Sequence, residues 1–279
     1  MGTIDLNEQN FSPKNEESAN KKPPRDPLVL RIGVTGHRTE LHATPAGVNR
    51  KRPIPDIPAI RTSVHEILEV IRASFKSVAD SNRELFDLAQ GEYRQPGRET
   101  LRIISALASG ADQWVVEEAL KFGFELQAIL PFSREEYLKD FKVKSEANTY
   151  KKLLSEATAI LELDGKIGTD EKGKRKPDSW SYESVGRGIL KQTDILIAIW
   201  DGEDAKGRGG TGQVVREALQ NSIPVIWIPW NNTEKWKLLE NSLFMQDDLH
   251  RDNNHISIVI QNIVNFNLRS QDYVNKNIL

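Results

Sequence analysis

Between Pro27 and Trp230 the chain repeats one pattern: a short apolar, β-branched run, a stop at a turn residue, then a stretch of helical periodicity. LVLRIGVTG, LRIISALASG, FELQAILPF, TAILEL, DILIAIWDG and IPVIWIPW are the runs, and each reads as a strand entering a turn. Strands this uniformly apolar must be covered on both faces, which is the condition of a parallel sheet. Val64, Ile67, Leu68, Ile71, Phe75 and Val78 recur at three- and four-residue spacing and mark a long amphipathic helix. Further helices are read over ADQWVVEEALKFG, around Ser133–Phe141, Glu146–Ala157 and Tyr182–Lys191, and over GGTGQVVREALQN. Strands alternating with helices predict a three-layer α/β fold with a mostly parallel sheet and helices on both faces.

Three stretches interrupt this order. Residues 1–27 are polar and proline-containing, without an apolar signal core, and read as a flexible N-terminal tail. RTELHATPAGVNRKRPIPDIP and DGKIGTDEKGKRKPDS have no period and read as loops, each with a basic run, at residues 50–52 and 172–176. Both leave strand ends and are candidates for a lid over an anionic ligand. The expected organisation is a domain over 28–230 and a C-terminal extension over 231–279 that packs on the domain or contacts a partner. In that extension TEKWKLLENSLF reads as helix, and HISIVIQNIVNF stays open between strand and helix.

Composition removes several classes of chemistry. There are no cysteines, so disulfides, thiolate metal sites and cysteine nucleophiles are excluded. His37, His42, His65, His250 and His255 lack the paired spacing of a zinc site, and no metal is expected. No Gly-x-Ser-x-Gly elbow is present. A net charge of −2 gives no general electrostatic reason to expect nucleic acid or an anionic membrane as partner. No apolar run approaches the roughly 18 residues of a membrane span. The expected location is the cytoplasm.

The polar residues gather where the apolar runs stop. Strand one ends in Thr35, Gly36, His37 and Arg38, strand two in Ser109, Gly110 and Asp112, strand three at Pro131, and strand five in Asp201 and Gly202. In an open parallel sheet all of these fall on one rim, where ligands bind. After strand five comes DAKGRGGTGQVVREAL, with Gly207, Gly209, Gly210 and Gly212 crowded before a helix. The first turn of a helix carries unpaired N–H groups and about half a positive charge, so it holds a phosphate if no side chain obstructs it. Thr211 adds a hydroxyl and Arg208 a cationic fork; Ser109 and Gly110 offer a second cradle. The loop matches neither the P-loop nor the Gly-x-Gly-x-x-Gly spacing. Taken singly, His37 also reads as a structural histidine, Ser109 and Asp112 as helix caps, Asp201 as a turn residue and Trp200 as core.

GVTGHR, SALASGADQWVVEEAL, AILPF, DILIAIWDG and GRGGTGQVVREA, in this order, resemble the SLOG superfamily over about residues 28–230. That group includes the lonely-guy phosphoribohydrolases, the DNA-processing protein DprA and ligand sensors of bacterial antiphage systems. The resemblance implies a Rossmann-like fold, a nucleotide-type ligand on the glycine-rich rim, and self-association. It is greatest to bacterial SLOG proteins carrying TGHR and WDG…GGTG, encoded with defence or membrane-effector modules. The phosphoribohydrolases carry a catalytic glutamate where alignment on Gly209–Gly212 puts Arg216; Glu217 lies one step, about 100°, around the helix. An arginine there disfavours a cationic transition state and argues for binding without turnover.

The expected function is therefore binding of a nucleotide or nucleotide-derived signal, as a sensor in a defence or stress-signalling system. Two alternatives remain: an N-glycosidase, with Asp201, Asp112 or Glu217 as catalytic candidates, and a non-catalytic scaffold for an effector protein. A homo-oligomer is expected, and no strong sign of nucleic-acid or direct membrane binding is read.

Overall fold

In the computed structural model the residues described are 28–39, 54–82, 99–205, 207–231, 236–240 and 253–277. The strands are β1 (Val29–Gly36), β2 (Thr100–Ser105), β3 (Glu125–Leu130), β4 (Ala159–Glu162), β5 (Ile167–Thr169), β6 (Arg175–Pro177), β7 (Ile195–Trp200), β8 (Val225–Pro229) and β9 (Lys237–Leu239). The helices are α1 (Ile57–Ser81), α2 (Ala111–Lys121), α3 (Arg134–Leu138), α4 (Lys144–Glu156), α5 (Ser179–Leu190), α6 (Thr211–Gln220) and α7 (Asn253–Asn277).

The strand β7 shows why the sheet is covered twice. Ile195, Ile197 and Ile199 join the core of one face while Leu196, Ala198 and Trp200 join that of the other, and none is more than 2% exposed. On the first face Ile60 of α1, Val115 of α2, Leu153 of α4 and Ile260 of α7 pack on the strands. On the second, Val185 and Ile189 of α5 and Val214 and Ala218 of α6 do so. This is the three-layer α/β architecture expected from the apolar runs.

The large sheet has the order β4-β3-β2-β1-β7-β8-β9 and is parallel except for the last pair. The chain lays down β1 to β4 in one direction, then returns across α5 to place β7 on the other side of β1. The carboxyl ends of β1 and β7 therefore border the crevice at which the winding reverses, the usual place for a ligand in such sheets.

Two local readings change and one left open is settled. The polar loop after β4 contains a hairpin, β5–β6, whose turn is fixed by Asp170: its Oδ1 accepts the N–H groups of Lys172 and Lys174 at 2.9 and 2.8 Å. TEKWKLLENSLF is not helical where it is described; Lys237–Leu239 pairs antiparallel to β8, burying Trp236, Leu238 and Leu239. Pairing with a sheet edge there outweighs the helix preference of Lys and Leu. HISIVIQNIVNF is helix, with Ile256, Val259, Ile260 and Val264 at helical spacing against the core. The N-terminal tail and the basic triplet at 50–52 lie outside the described residues. Among the described residues no helix is long and apolar enough to cross a membrane.

Candidate functional site

The ends of β1 and β7 are in register, Gly36 beside Ile199, and the next residue ties the rim together. The His37 N–H donates to Ile199 O at 3.0 Å, and its carbonyl accepts the N–H of Ala111, first residue of α2, at 3.1 Å. The imidazole is held as firmly. Its Nε2 lies 2.9 Å from Asp201 Oδ1 and 3.2 Å from the Asp201 N–H, and its Nδ1 lies 3.5 Å from Thr211 Oγ1 at the start of α6. The ring stands edge-on to Trp230 at 5.4 Å, and Trp230 stacks on Trp114 at 6.0 Å. Asp201 Oδ1 also accepts the Glu203 N–H at 3.1 Å. His37, Asp201 and Thr211 thus form one polar line joining the ends of β1 and β7 to the start of α6, buried at His37 and Thr211 and half-buried at Asp201.

Residues 207–210 make a tight turn, closed by the Gly210 N–H to Gly207 O bond of 3.3 Å. Gly209 has φ +73, the i+2 position of a type II turn. A Cβ on it would stand 2.7 Å from Glu183 N and 2.8 Å from Tyr182 C, so the turn is seated against the backbone of α5. The Gly209 N–H is taken by Gln213 Oε1 at 3.0 Å. The N–H groups of Thr211 and Gly212 have no acceptor among the described residues. They are the open end of α6.

Arg38 follows His37 on the same rim. Its guanidinium is 5.6 Å from the centre of the Tyr182 ring and makes no hydrogen bond to any described residue. Burial opposes its charge, but the surrounding Tyr137, Tyr182, Asp140 and Asp112 outweigh that and leave its pKa raised. Arg38 is therefore a charged five-donor fork on the rim. Tyr182 donates to Asp140 Oδ2 at 2.6 Å, and Arg175 of β6 donates to Asp140 Oδ1 at 2.6 Å and to Glu136 Oε1 at 2.6 Å. The basic hairpin is thereby fastened to the rim. Burial and the bond to Asp140 push the Tyr182 hydroxyl pKa up, so it remains a neutral donor.

The second expected cradle is built differently. Gly110 has φ +90, and a Cβ there would meet Thr39 N at 2.6 Å and His37 O at 2.7 Å. The backbone of residues 37–39 covers this turn, and Ala111 has spent its N–H on His37. Ser109 is buried and makes no hydrogen bond among the described residues. Asp112 is not a cap and not a surface base: it is buried under the turn, accepting from Ser105 Oγ at 3.1 Å. Burial raises its pKa to about 7, against the pull of Ser105, the Ala108 N–H, Arg38 and the Ala106 N–H.

The remaining sequence candidates are placed as follows. Thr35 pairs with Ala198 within the sheet, Pro131 O accepts the Gly165 N–H at 3.0 Å, and Gly202 has φ +83 beside Trp227. Gly212 packs against the backbone of Glu203 and Ala205. Arg216 pairs with Asp204, and Glu217 turns away to Gln213, 2.8 Å, and Arg187, 3.6 Å. Arg208 leaves its turn over the Trp180 ring, 3.6 Å from its centre. Tyr182, Asp140 and Trp180 were not expected on this rim. No spacing announces them, because Tyr182 meets Asp140 across 42 positions of sequence.

No family model matches this sequence. No curated protein matches it either. Among solved structures it is similar to DNA processing protein A of Streptococcus pneumoniae, at 16% identity and TM-score 0.39, over 72% of this chain and 50% of that one. It is similar to TM1055, a structural-genomics target, at 13% identity and TM-score 0.37, over 81% and 88%. It is also similar to DNA processing protein A of Helicobacter pylori, at 15% identity and TM-score 0.38, over 86% and 81%. The chain spans about half of the S. pneumoniae protein. A likeness of this size transfers neither a residue nor an activity. One expectation is corrected: the H. pylori protein is described for its single-stranded DNA binding mode, so the reading of no strong sign of nucleic-acid binding does not stand.

Proposed function

We propose that this chain binds a nucleotide or nucleotide-derived signal in the crevice between the ends of β1 and β7, and holds it without turnover. The observation that carries the reading is the pair of N–H groups on Thr211 and Gly212, open among the described residues, on the same rim as an Arg38 guanidinium that makes no hydrogen bond to any described residue. A phosphoryl group supplies both needs, the acceptors and the charge. Asp201 is turned to His37 rather than to a ribose, so it shapes the crevice wall. Arg216 stands where the resemblance puts a catalytic glutamate, which supports a sensor over a hydrolase.

One arrangement favours a second reading. The Asp201–His37 pair is a carboxylate orienting an imidazole, and that could serve an N-glycosidase by positioning water. Calorimetry against mono-, di- and cyclic nucleotides, ADP-ribose and a short single-stranded oligonucleotide, followed by chromatography of each mixture, separates the two. Tight binding with intact recovery supports the sensor, and free base in the mixture supports the hydrolase. Gly210→Asp sets a carboxylate at the mouth of α6, where φ is −74 and a Cβ stands 3.1 Å from Ala205 Cβ and 3.2 Å from Gly207 O, so the neighbours give by a few tenths of an ångström. It is expected to abolish binding and leave the fold intact. Wild-type protein that binds none of the panel, or a folded Gly210→Asp that binds as well as wild type, overturns the proposal.

A further inference from the structure

The turn that presents α6 has an unusual flank. Trp180, in the first turn of α5, is 52% exposed, and its N–H is held by Asp178 Oδ1 at 3.1 Å. Arg208, the second residue of the glycine turn, lies over this ring with its guanidinium carbon 3.6 Å from the ring centre. Neither partner is placed by accident of a mobile loop. Trp180 belongs to a capped helix, and Gly209 fixes the turn against Tyr182 and Glu183.

Beneath the pair is Glu183, whose side chain is only 7% exposed. One carboxylate oxygen takes Arg187 at 2.7 Å. The other, Oε2, is buried with no hydrogen-bond partner among the described residues, and Arg208 stands 3.9 Å from it, beyond hydrogen-bond reach. A buried carboxylate oxygen left open is costly. The cation that could close the gap is instead stacked on an exposed indole. A small movement of Arg208 toward Glu183 would satisfy the carboxylate and uncover the indole face.

From this geometry we infer that Trp180 and Arg208 form the nucleobase subsite of the rim, with a planar heterocycle taking the face of Trp180 that Arg208 occupies here. The inference rests on the nucleotide reading and adds to it: the ligand must carry an aromatic base, not a phosphate and sugar alone. Arg208 is two residues from Gly210 and three from Thr211, so the base subsite and the proposed phosphate site belong to one turn. Stacking on an aromatic side chain is tolerant of base identity, so affinity for the base follows its stacking strength more than its hydrogen-bonding edge.

The test is calorimetric titration of wild type, Trp180→Ala, Trp180→Phe and Gly210→Asp, each with the four nucleoside monophosphates and with ribose 5-phosphate. Folding of each variant is followed by circular dichroism. Trp180→Ala is expected to lose about ten- to a hundredfold in nucleotide affinity, Trp180→Phe to keep most of it, and ribose 5-phosphate to bind weakly and equally to wild type and Trp180→Ala. If folded Trp180→Ala binds nucleotides as wild type does while Gly210→Asp does not, the base subsite is wrong and the phosphate site stands. Wild type that binds ribose 5-phosphate as tightly as the nucleotides has the same meaning. If wild type binds neither, both fall together.

Discussion

Two helices, α2 and α6, start on the same rim, each after a glycine and each after a strand end. In sequence they look alike, and both read as anion cradles. In the structure the first N–H of α2 is capped by His37 O, whereas the first N–H of α6 has no acceptor among the described residues. At α2 the backbone of residues 37–39 lies on Gly110, the first N–H is capped by His37, and the carboxyl of Asp112 is buried just below. At α6 the N–H groups of Thr211 and Gly212 lack acceptors among the described residues, and no carboxylate of α6 lies in its first turn. The same local sequence device is packed under the exit of β1 at Gly110 and, at α6, against α5 and the loop of residues 203–205, which leaves the first N–H groups of α6 without an acceptor among the described residues. What decides is the segment that passes over it, and that segment comes from β1, more than 70 residues before Gly110 in the chain.

The comparison breaks most visibly at the glycines. Gly110→Ala must place a methyl group within 2.6–2.7 Å of the backbone of Thr39 and His37 at φ +90. Backbone strain and overpacking together are expected to cost roughly 2–5 kcal/mol in urea unfolding. Gly210→Ala meets Ala205 Cβ at 3.1 Å and Gly207 O at 3.2 Å with an ordinary φ, and its cost should be smaller, about 1 kcal/mol. Equal losses at the two positions would mean the turns are not different.

The charge under α2 sharpens the contrast through pH. The Asp112 carboxyl has its folded-state pKa raised to about 7 from an ordinary value of 3.8. Below 3.8 both folded and unfolded states hold the proton; between 3.8 and about 7 only the folded state does; above 7 neither does. Its contribution to stability therefore falls as pH rises across that window, by an amount on the order of 2–4 kcal/mol, and is then constant. Asp112→Asn should remove this slope from a plot of unfolding free energy against pH. An unchanged slope would show that Asp112 is ionised in the folded protein throughout.

Arg38 belongs to the open side of the comparison. Removing it as Arg38→Gln takes away a charge whose hydrogen-bonding groups have no partner among the described residues. Nucleotide affinity is expected to fall by about 1.5–3 kcal/mol, the worth of hydrogen bonds to a charged group. Stability should change little, because no described residue loses a hydrogen bond. A large loss of stability with unchanged affinity would make Arg38 a structural ion for Asp140 and Asp112.

How much of this could be read in sequence follows from the range of each interaction. The strands and the rim were legible because burial on both faces and turn residues at strand ends are local signals, as β7 and its Asp201–Gly202 exit illustrate. The hairpin β5–β6 was not, since three-residue strands, Ile-Gly-Thr and Arg-Lys-Pro, are too short to carry an apolar period; Asp170 and Gly173 in its turn were the available hint. The strand β9 was missed because a Lys-Leu-Leu run is neutral until a sheet edge claims it. At the candidate site, His37, Asp201 and Thr211 were named singly, but their contact was not, because β1, β7 and α6 meet only through the strand order. Tyr182 and Asp140 were invisible for the same reason.

The smallest effect is expected at Arg216, and it tests what the resemblance alone suggested. In the structure Arg216 pairs with Asp204, both side chains largely in water, at 47% and 88% exposure. Exposed pairs of this kind contribute little. Arg216→Ala should leave urea unfolding within experimental error and nucleotide affinity within about twofold. Arg216→Glu should place a carboxylate on the helix without producing free base, because catalysis at that position also needs a substrate bond aligned with it. Release of base by Arg216→Glu, absent in wild type, would show that the rim already aligns a glycosidic bond and that one side chain separates holding a nucleotide from cleaving it. No release, with affinity retained, leaves the phosphate end of α6 as the part that matters and the flank at residue 216 as solvent-facing surface.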